Sequence, residues 1–231
     1  MKAVVKKKCP CLTQHHRREV GLCPEPKDWT VEDWKQVIWL DKTKINCIGS
    51  DGKRWTWKKA EESLSDRLVR RTVKFGGDSL MMWGCMTWEG VGMACKIDGK
   101  MDTDLYIQIL GEELQQTLDN YGKTLDDIIF QQDNDPKHTS RRAKQWFFDH
   151  GFEVMVWPAQ SPDLNPIEHL WFLLKKRLAE NPEPPKGITE LWEHIQAEWE
   201  KIEVVKCQEL IESMPRRVQE VIKAKGGYTS Y

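Results

Sequence analysis

The sequence predicts an α/β fold: a mixed sheet, built from a three-strand antiparallel meander plus parallel strands, flanked by helices and followed by extra C-terminal helices. Two observations carry this. The first half alternates apolar strand-like runs with turn chemistry at Ser50-Asp51-Gly52 and Glu89-Gly90, as antiparallel hairpins require. From Asp104 onward, segments with helical apolar spacing alternate with short apolar strands, the β-α-β-α pattern of a sheet covered by helices.

Residues 1–27 lack sustained periodicity, and Pro24 and Pro26 break any helix running from Leu12 to Leu22, so this stretch reads as a linker remnant or arm. Residues 28–231 form one domain. A short helix from Val31 leads into a strand at Gln36–Asp41, where Val37, Trp39 and Asp41 share one face and Ile38, Leu40 and Lys42 the other, so Lys42 points away from Asp41. Further strands are expected at Lys53–Trp57, Ser79–Trp88 and Val91–Ile97. A helix follows at Asp104–Asn120, with Leu105, Ile109, Leu114 and Leu118 as its apolar stripe, and then a strand at Ile128–Phe130. Next come a helix at Thr139–His150, a strand at Phe152–Val156 and a helix opening at Asn165, where Asn165 at the N-cap, Pro166 at the first turn and Glu168 form a capping box. Ile188, Leu191, Trp192, Ile195, Trp199 and Ile202 mark an amphipathic helix. A helical pair from Val204 to Lys225 is divided at Met214-Pro215 and stopped by Gly226-Gly227.

With 231 residues, 39% hydrophobic and 31% charged, the chain has enough apolar surface for a substantial core, and no run of 18 or more apolar residues suggests a membrane span. The net charge of −1 conceals a basic start, since residues 1–21 hold six Lys or Arg against one acid. Seven cysteines without framework spacing fit reduced thiols, and Cys9, Cys11, His15, His16 and Cys23 lack the spacing of a zinc finger. Of the twelve tryptophans, Trp39, Trp83, Trp171, Trp192 and Trp199 fall on apolar stripes and belong to the core.

The most informative stretch is FQQDNDPKHTSRRAKQWFFDHGFEVMVWPAQSPDLNPIEHLW, residues 130–171. It places Asp133 after an apolar strand and Glu168 in the first turn of a helix, while Asp41 ends the run VIWLDKTKIN. Each acid alone has an ordinary explanation: a strand-end acid for Asp41, an Asx turn for Asp133, a capping box for Glu168. Asp135 competes with Asp133 for any ligand role. Together, carboxylates from separate elements make the hard oxygen site that Mg²⁺ or Mn²⁺ prefers and that phosphoryl transfer uses in pairs of ions.

The blocks VIWLDKTKIN, GSDGKRWTWKK, KFGGDSLMMWGCMTWEGVG, IIFQQDNDPKHTS and WPAQSPDLNPIEHLW resemble, in that order, the catalytic domain of Tc/mariner-type DNA transposases, members of the DDE superfamily with a ribonuclease-H-like, integrase-like fold. The resemblance covers nearly everything from Asp28 onward. It implies that Asp41, Asp133 and Glu168 are the catalytic, metal-binding acids, with 34 residues between the last two, and so favours Asp133 over Asp135. It further implies two Mg²⁺ or Mn²⁺ ions, double-stranded DNA (transposon ends and target) as partner, a homodimer on DNA, and work in the nucleus. Asn134 and His138 are candidate groups behind the acids or against DNA. In the charged segment after Trp57, Arg67, Arg70 and Arg71, with Arg54 before it, are candidate phosphate contacts.

The family carries two helix-turn-helix modules ahead of this domain, and residues 1–27 are too short to encode either. Lys42 stands where many relatives have Glu. These departures leave an alternative, a catalytically inactive or domesticated relic that binds DNA or protein.

Overall fold

The computed structural model describes residues 28–47, 78–158, 161–181 and 183–224. The arm 1–27, the expected strand Lys53–Trp57, Arg54, Arg67, Arg70, Arg71 and the Gly226-Gly227 stop lie outside the described residues.

Helix α1 (Val31–Lys35) opens on a capping box, in which the Thr30 backbone N–H donates to Asp33 at 2.7 Å and Thr30 Oγ1 accepts from the Asp33 N–H. It delivers the chain to β1 (Val37–Asn46), which runs five residues past the expected end. β1 pairs antiparallel with β2 (Ser79–Thr87), which pairs antiparallel with β3 (Gly90–Ile97). Gly90, at φ 139°, makes the expected turn between them. β4 (Ile129–Phe130) lies parallel to β1 on its other side, giving the order β3-β2-β1-β4. The expected strand Phe152–Val156 contracts to one parallel bridge, Val154 to Phe130. β4 is only two residues long, so it offers a further strand a ladder of one bridge.

The helix expected over Asp104–Asn120 is interrupted. It comprises α2 (Thr103–Ile109), a π-helical turn over Leu110–Leu114 and α3 (Gln115–Asn120). Ile109 and Leu114 are five residues apart, and the wider π turn keeps both buried on the sheet side. α4 (Arg141–Asp149) follows, with Ser140 Oγ accepting from the Ala143 N–H. The remaining helices are α5 (Ile167–Glu180), α6 (Ile188–Glu200), α7 (Val204–Glu212) and α8 (Met214–Lys223). No helix among the described residues is long and apolar enough to cross a membrane. Cys47, Cys85, Cys95 and Cys207 are free thiols.

β1 is buried on both faces, which explains why it reads as an apolar run rather than an alternation. Ile38 and Leu40 pack with Tyr106, Leu110, Leu114, Phe130 and Phe147. Val37, Trp39 and Ile45 pack with Leu170, Trp171, Leu174, Trp199 and Ile211. Asp41 continues the second face, the one covered by α5.

What seats α5 is a missing side chain. Gly84 is the Cα partner of Asp41 across the β1–β2 ladder, and a Cβ there would lie 2.9 Å from the Trp171 ring. Trp171 fills that space and stacks on Trp199, with ring centroids 5.0 Å apart. Glu168 is one helical turn before Trp171, so the fit of indole against glycine sets the height of Glu168 over the sheet. Gly84→Ala is therefore expected to destabilise the fold by about 1–3 kcal/mol through overpacking, read as a fall in the urea midpoint without a change in slope.

Candidate active site

The β1–β4 ladder covers only Val37 and Ile38, and the last β4-side bond to it is from the Gln131 N–H to the Ile38 carbonyl at 3.3 Å. β4 then leaves the sheet while β1 continues. The C-terminal half of β1 is thus bare on that side, and a pocket of about 530 Å³ opens there. This is where ligands enter open α/β sheets, beyond the carboxyl end of a parallel strand. Its walls are Asp41 from β1, residues 131 and 133–136 from the β4 exit, Trp157 and Pro158, and Ser161, Pro162, Asn165 and Glu168 from the approach to α5. The three acids expected from the sequence, separated by up to 127 positions (168 − 41), border one cavity.

They are not equivalent. Burial is the main influence on Asp41, and the charges of Glu168 and Asp133 add to it, so despite the Lys42 N–H and ammonium its carboxyl is pushed up to about 7. Burial raises Glu168 too, against a hydrogen bond with Asp41 and the charge of Lys175. Burial thus penalises the ionised form of both Asp41 and Glu168, and at Asp41 the charge of Glu168 adds to it. For Asp133 burial also acts upward, but the His138 hydrogen bond and the charges of His138 and Lys42 prevail and hold it below the usual carboxylate range.

His138 is placed to do this. Its Nδ1 lies 2.5 Å from Asp133 Oδ1, and its ring stacks on Tyr106 with centroids 4.0 Å apart. Tyr106 in turn donates to Gln132 Oε1 at 2.6 Å, closing a buried support behind the acid. Asn134 lines the same pocket. Its Nδ2 donates to the Trp157 carbonyl at 2.8 Å, tying the Asp133 turn to the loop that leads to α5. Trp157 is held from the other side by an edge contact with Trp39.

Asp135 is occupied elsewhere. Its carboxylate takes Lys137 Nζ at 2.9 Å and Lys42 Nζ at 3.0 Å, and these bonds overcome burial to keep it well below the ordinary range. Lys42 leaves β1 on the face opposite Asp41, as strand alternation requires. Its length nevertheless brings the ammonium round to the β4 exit, where its charge acts on both Asp41 and Asp133.

The expected capping box at α5 is not formed. Helical residues start at Ile167, and no side chain caps the helix. Asn165 instead donates its Nδ2 to Asp41 Oδ2 at 3.3 Å, while its Oδ1 is buried without a hydrogen-bond partner among the described residues. Gln131, fully buried at the pocket wall, has neither amide atom paired among the described residues. Asn165 was visible in the SPDLNPIE block but its cap role hid it; Gln131 had no signal beyond standing two residues before Asp133.

The donor set suits a hard divalent cation: carboxylate and amide oxygens, no thiolate, and two acids whose mutual repulsion a cation relieves. Among the described residues no group of three or more His, Cys, Asp or Glu side chains is arranged to hold one metal ion.

Comparison with known proteins decides the family. Residues 36–191 match the DDE superfamily endonuclease family. The chain belongs to the DDE superfamily. The Tc1 transposase of Caenorhabditis elegans is 39% identical over 88% of this chain and 73% of its own length, and the Tcb1 transposase of Caenorhabditis briggsae 36% identical over 97% and 81%. This DDE domain is thus a Tc/mariner-type transposase catalytic domain. In fold it is similar to the Mos1 mariner paired-end complex with Mn, at TM-score 0.84 and 17% identity over 100% of this chain and 68% of that one. The Mos1 catalytic domain with raltegravir and Mg gives 0.72 and 18% over 96% and 100%. The ribonuclease-H-like sheet expected from the sequence is therefore present.

The raised Asp41 carboxyl has a consequence for stability. An acid lifted above its ordinary value favours the folded state while protonated, and that contribution is lost as pH rises towards about 7. Metal-free protein should lose melting temperature over this interval. Asp41→Asn is expected to flatten the slope and to melt several degrees above wild type at about pH 8, with little difference at about pH 5, by differential scanning fluorimetry in EDTA.

Proposed function

We propose that this DDE domain cleaves and joins DNA strands with two Mg²⁺ or Mn²⁺ ions held by Asp41, Asp133 and Glu168. One observation carries the reading: Asp41, Asp133 and Glu168, from three separate elements, line one cavity, where the burial that raises Asp41 and Glu168 is a cost that a divalent ion would remove. Bound in pairs, such ions stabilise the attacking and leaving oxygens of an in-line displacement at phosphorus.

The protein's part is to place charge. Asn165 fixes the orientation of Asp41, and His138 keeps Asp133 ionised and turned to one side. A divalent cation in the cavity would favour the ionised form of Asp41. The Asn134 to Trp157 bond holds the two loops at a fixed width, so a phosphodiester meets a preformed slot. Lys42 and Lys137 pair with Asp135 in the pocket wall and so bring positive charge near the slot, of the sign a strand backbone needs.

The substrate we infer is double-stranded DNA, transposon ends and target, bound as a homodimer in the nucleus. Mos1 was solved as a paired-end complex with the left transposon end, which supports paired copies on DNA. Arg54, Arg67, Arg70 and Arg71 are proposed as phosphate contacts.

Calorimetric Mn²⁺ titration beside a supercoiled-plasmid nicking assay tests the reading. Wild type should bind and nick, while Asp133→Asn and Asp41→Asn should lose binding and at least about 100-fold in nicking. Folded wild type that binds no Mn²⁺ and nicks no DNA would overturn it in favour of a binding-only relic.

A further inference from the structure

The C-terminal helix α8 carries a charged side chain in an unusual place. Arg217 is 1% exposed, one of the largest fully buried side chains among the described residues. Burying a guanidinium is costly unless its donors are satisfied in good geometry. Its Nε donates to Ser213 Oγ at 2.8 Å, one turn earlier in α8. The other end reaches out of the helix: Nη1 donates to the Asp163 carbonyl at 3.2 Å, and Nη1 and Nη2 lie 3.3 and 3.4 Å from His169 Nδ1. His169 must accept at Nδ1, so its neutral ring carries the proton on Nε2.

Those partners bracket the site. Asp163 sits in the 3-10 turn Pro162–Leu164, two residues before Asn165, and His169 directly follows Glu168. One rigid fork therefore grips the chain on both sides of the segment that supplies Asn165 to Asp41 and Glu168 to the pocket. No side chain caps the start of α5, so no side chain of that helix ties its first turn to the segment before it.

We propose that Arg217 is a positioning residue for the active site, setting the placement of Glu168 and Asn165 through the Asp163 carbonyl and the His169 ring. The proposal rests on the metal-binding reading of Glu168. Geometry makes arginine necessary: a lysine offers one point of contact where two divergent partners must be held.

The test uses the full chain and reads two things. Backbone hydrogen exchange over residues 161–169 reports the Leu164, Asn165, Glu168 and His169 amides, whose bonds to Ser161, Pro162, Asn165 and Pro166 carbonyls form the turn. Mn²⁺ affinity by calorimetry reports the site. Arg217→Met keeps the bulk and should strip protection from 161–169 while β1 to β3 stay protected, and should weaken Mn²⁺ about 10- to 100-fold. Arg217→Lys should fall between, and decides the matter if the Met variant does not fold. Val221→Ala, in the same helix and buried, is the control for an equal loss of melting temperature and should retain both readouts.

Unchanged exchange over 161–169 in Arg217→Met and Arg217→Lys overturns the proposal. So does lost protection with unchanged Mn²⁺ affinity, or a Val221→Ala variant that weakens Mn²⁺ equally. Wild type that binds no Mn²⁺ while Arg217→Met still loses turn protection would instead sink the metal reading and leave the mechanical coupling standing.

Discussion

Asp41 and Glu168 are buried at one cavity at a cost to their charged forms, and what holds them there is packing in which neither takes part. Trp171 enters the space left by Gly84 and is closed in by Trp199, while Ile167, Leu170 and Leu174 are buried beside it. An indole buried this completely contributes on the order of 2–3 kcal/mol, and the rest of the α5 stripe adds to it. The acid pair borrows from that sum. The cost of burying the acids is local and polar, the force that sustains it is distributed and apolar, and the two are joined only by the rigidity of one helical turn.

The asymmetry among the acids follows from the same arrangement. Asp41 and Glu168 are buried at the β1–α5 interface, and burial raises both. Asp133 lies on the other side of the cavity, half exposed and bonded to His138, and falls. Asp135 differs again, since two lysines neutralise it. Four carboxylates in one region thus have three electrostatic conditions, and of the two acids at the β4 exit Asp135 is the one that lysine ion pairs neutralise. That physical sorting favours Asp133 over Asp135 independently of sequence pattern.

Much of this was legible in the chain. Strand alternation placed Asp41 with Trp39 and sent Lys42 to the other face, and of the tryptophans on apolar stripes Trp39, Trp83, Trp171 and Trp199 are core while Trp192 is partly buried against it. The failures have specific causes. The stripe Leu105, Ile109, Leu114, Leu118 steps by four, five and four, and the five is the mark of a π turn that a fixed 3.6-residue period conceals. Phe152–Val156 has strand composition, but pairing needs a neighbour, and β4 is too short to provide one. Asn165 fitted a capping pattern by local spacing, yet Asp41, 124 residues away, takes its amide. Local rules fail here where a distant carboxylate competes for the same donor.

The contribution of the C-terminal helices shows how far such competition extends. α8 lies nearly fifty residues beyond the last acid and supplies nothing to the cavity wall. It nevertheless presents a buried cation to a backbone carbonyl and a histidine ring on either side of Glu168. A guanidinium at that depth would be unfavourable if it served α8 alone, since one serine cannot satisfy five donors. Its burial makes sense only as a joint between elements, with the turn before α5 as the part that receives the order. The active-site geometry therefore depends on two supports of different chemistry: an apolar one that fixes the height of α5 over the sheet, and a polar one that fixes the path of the chain entering it.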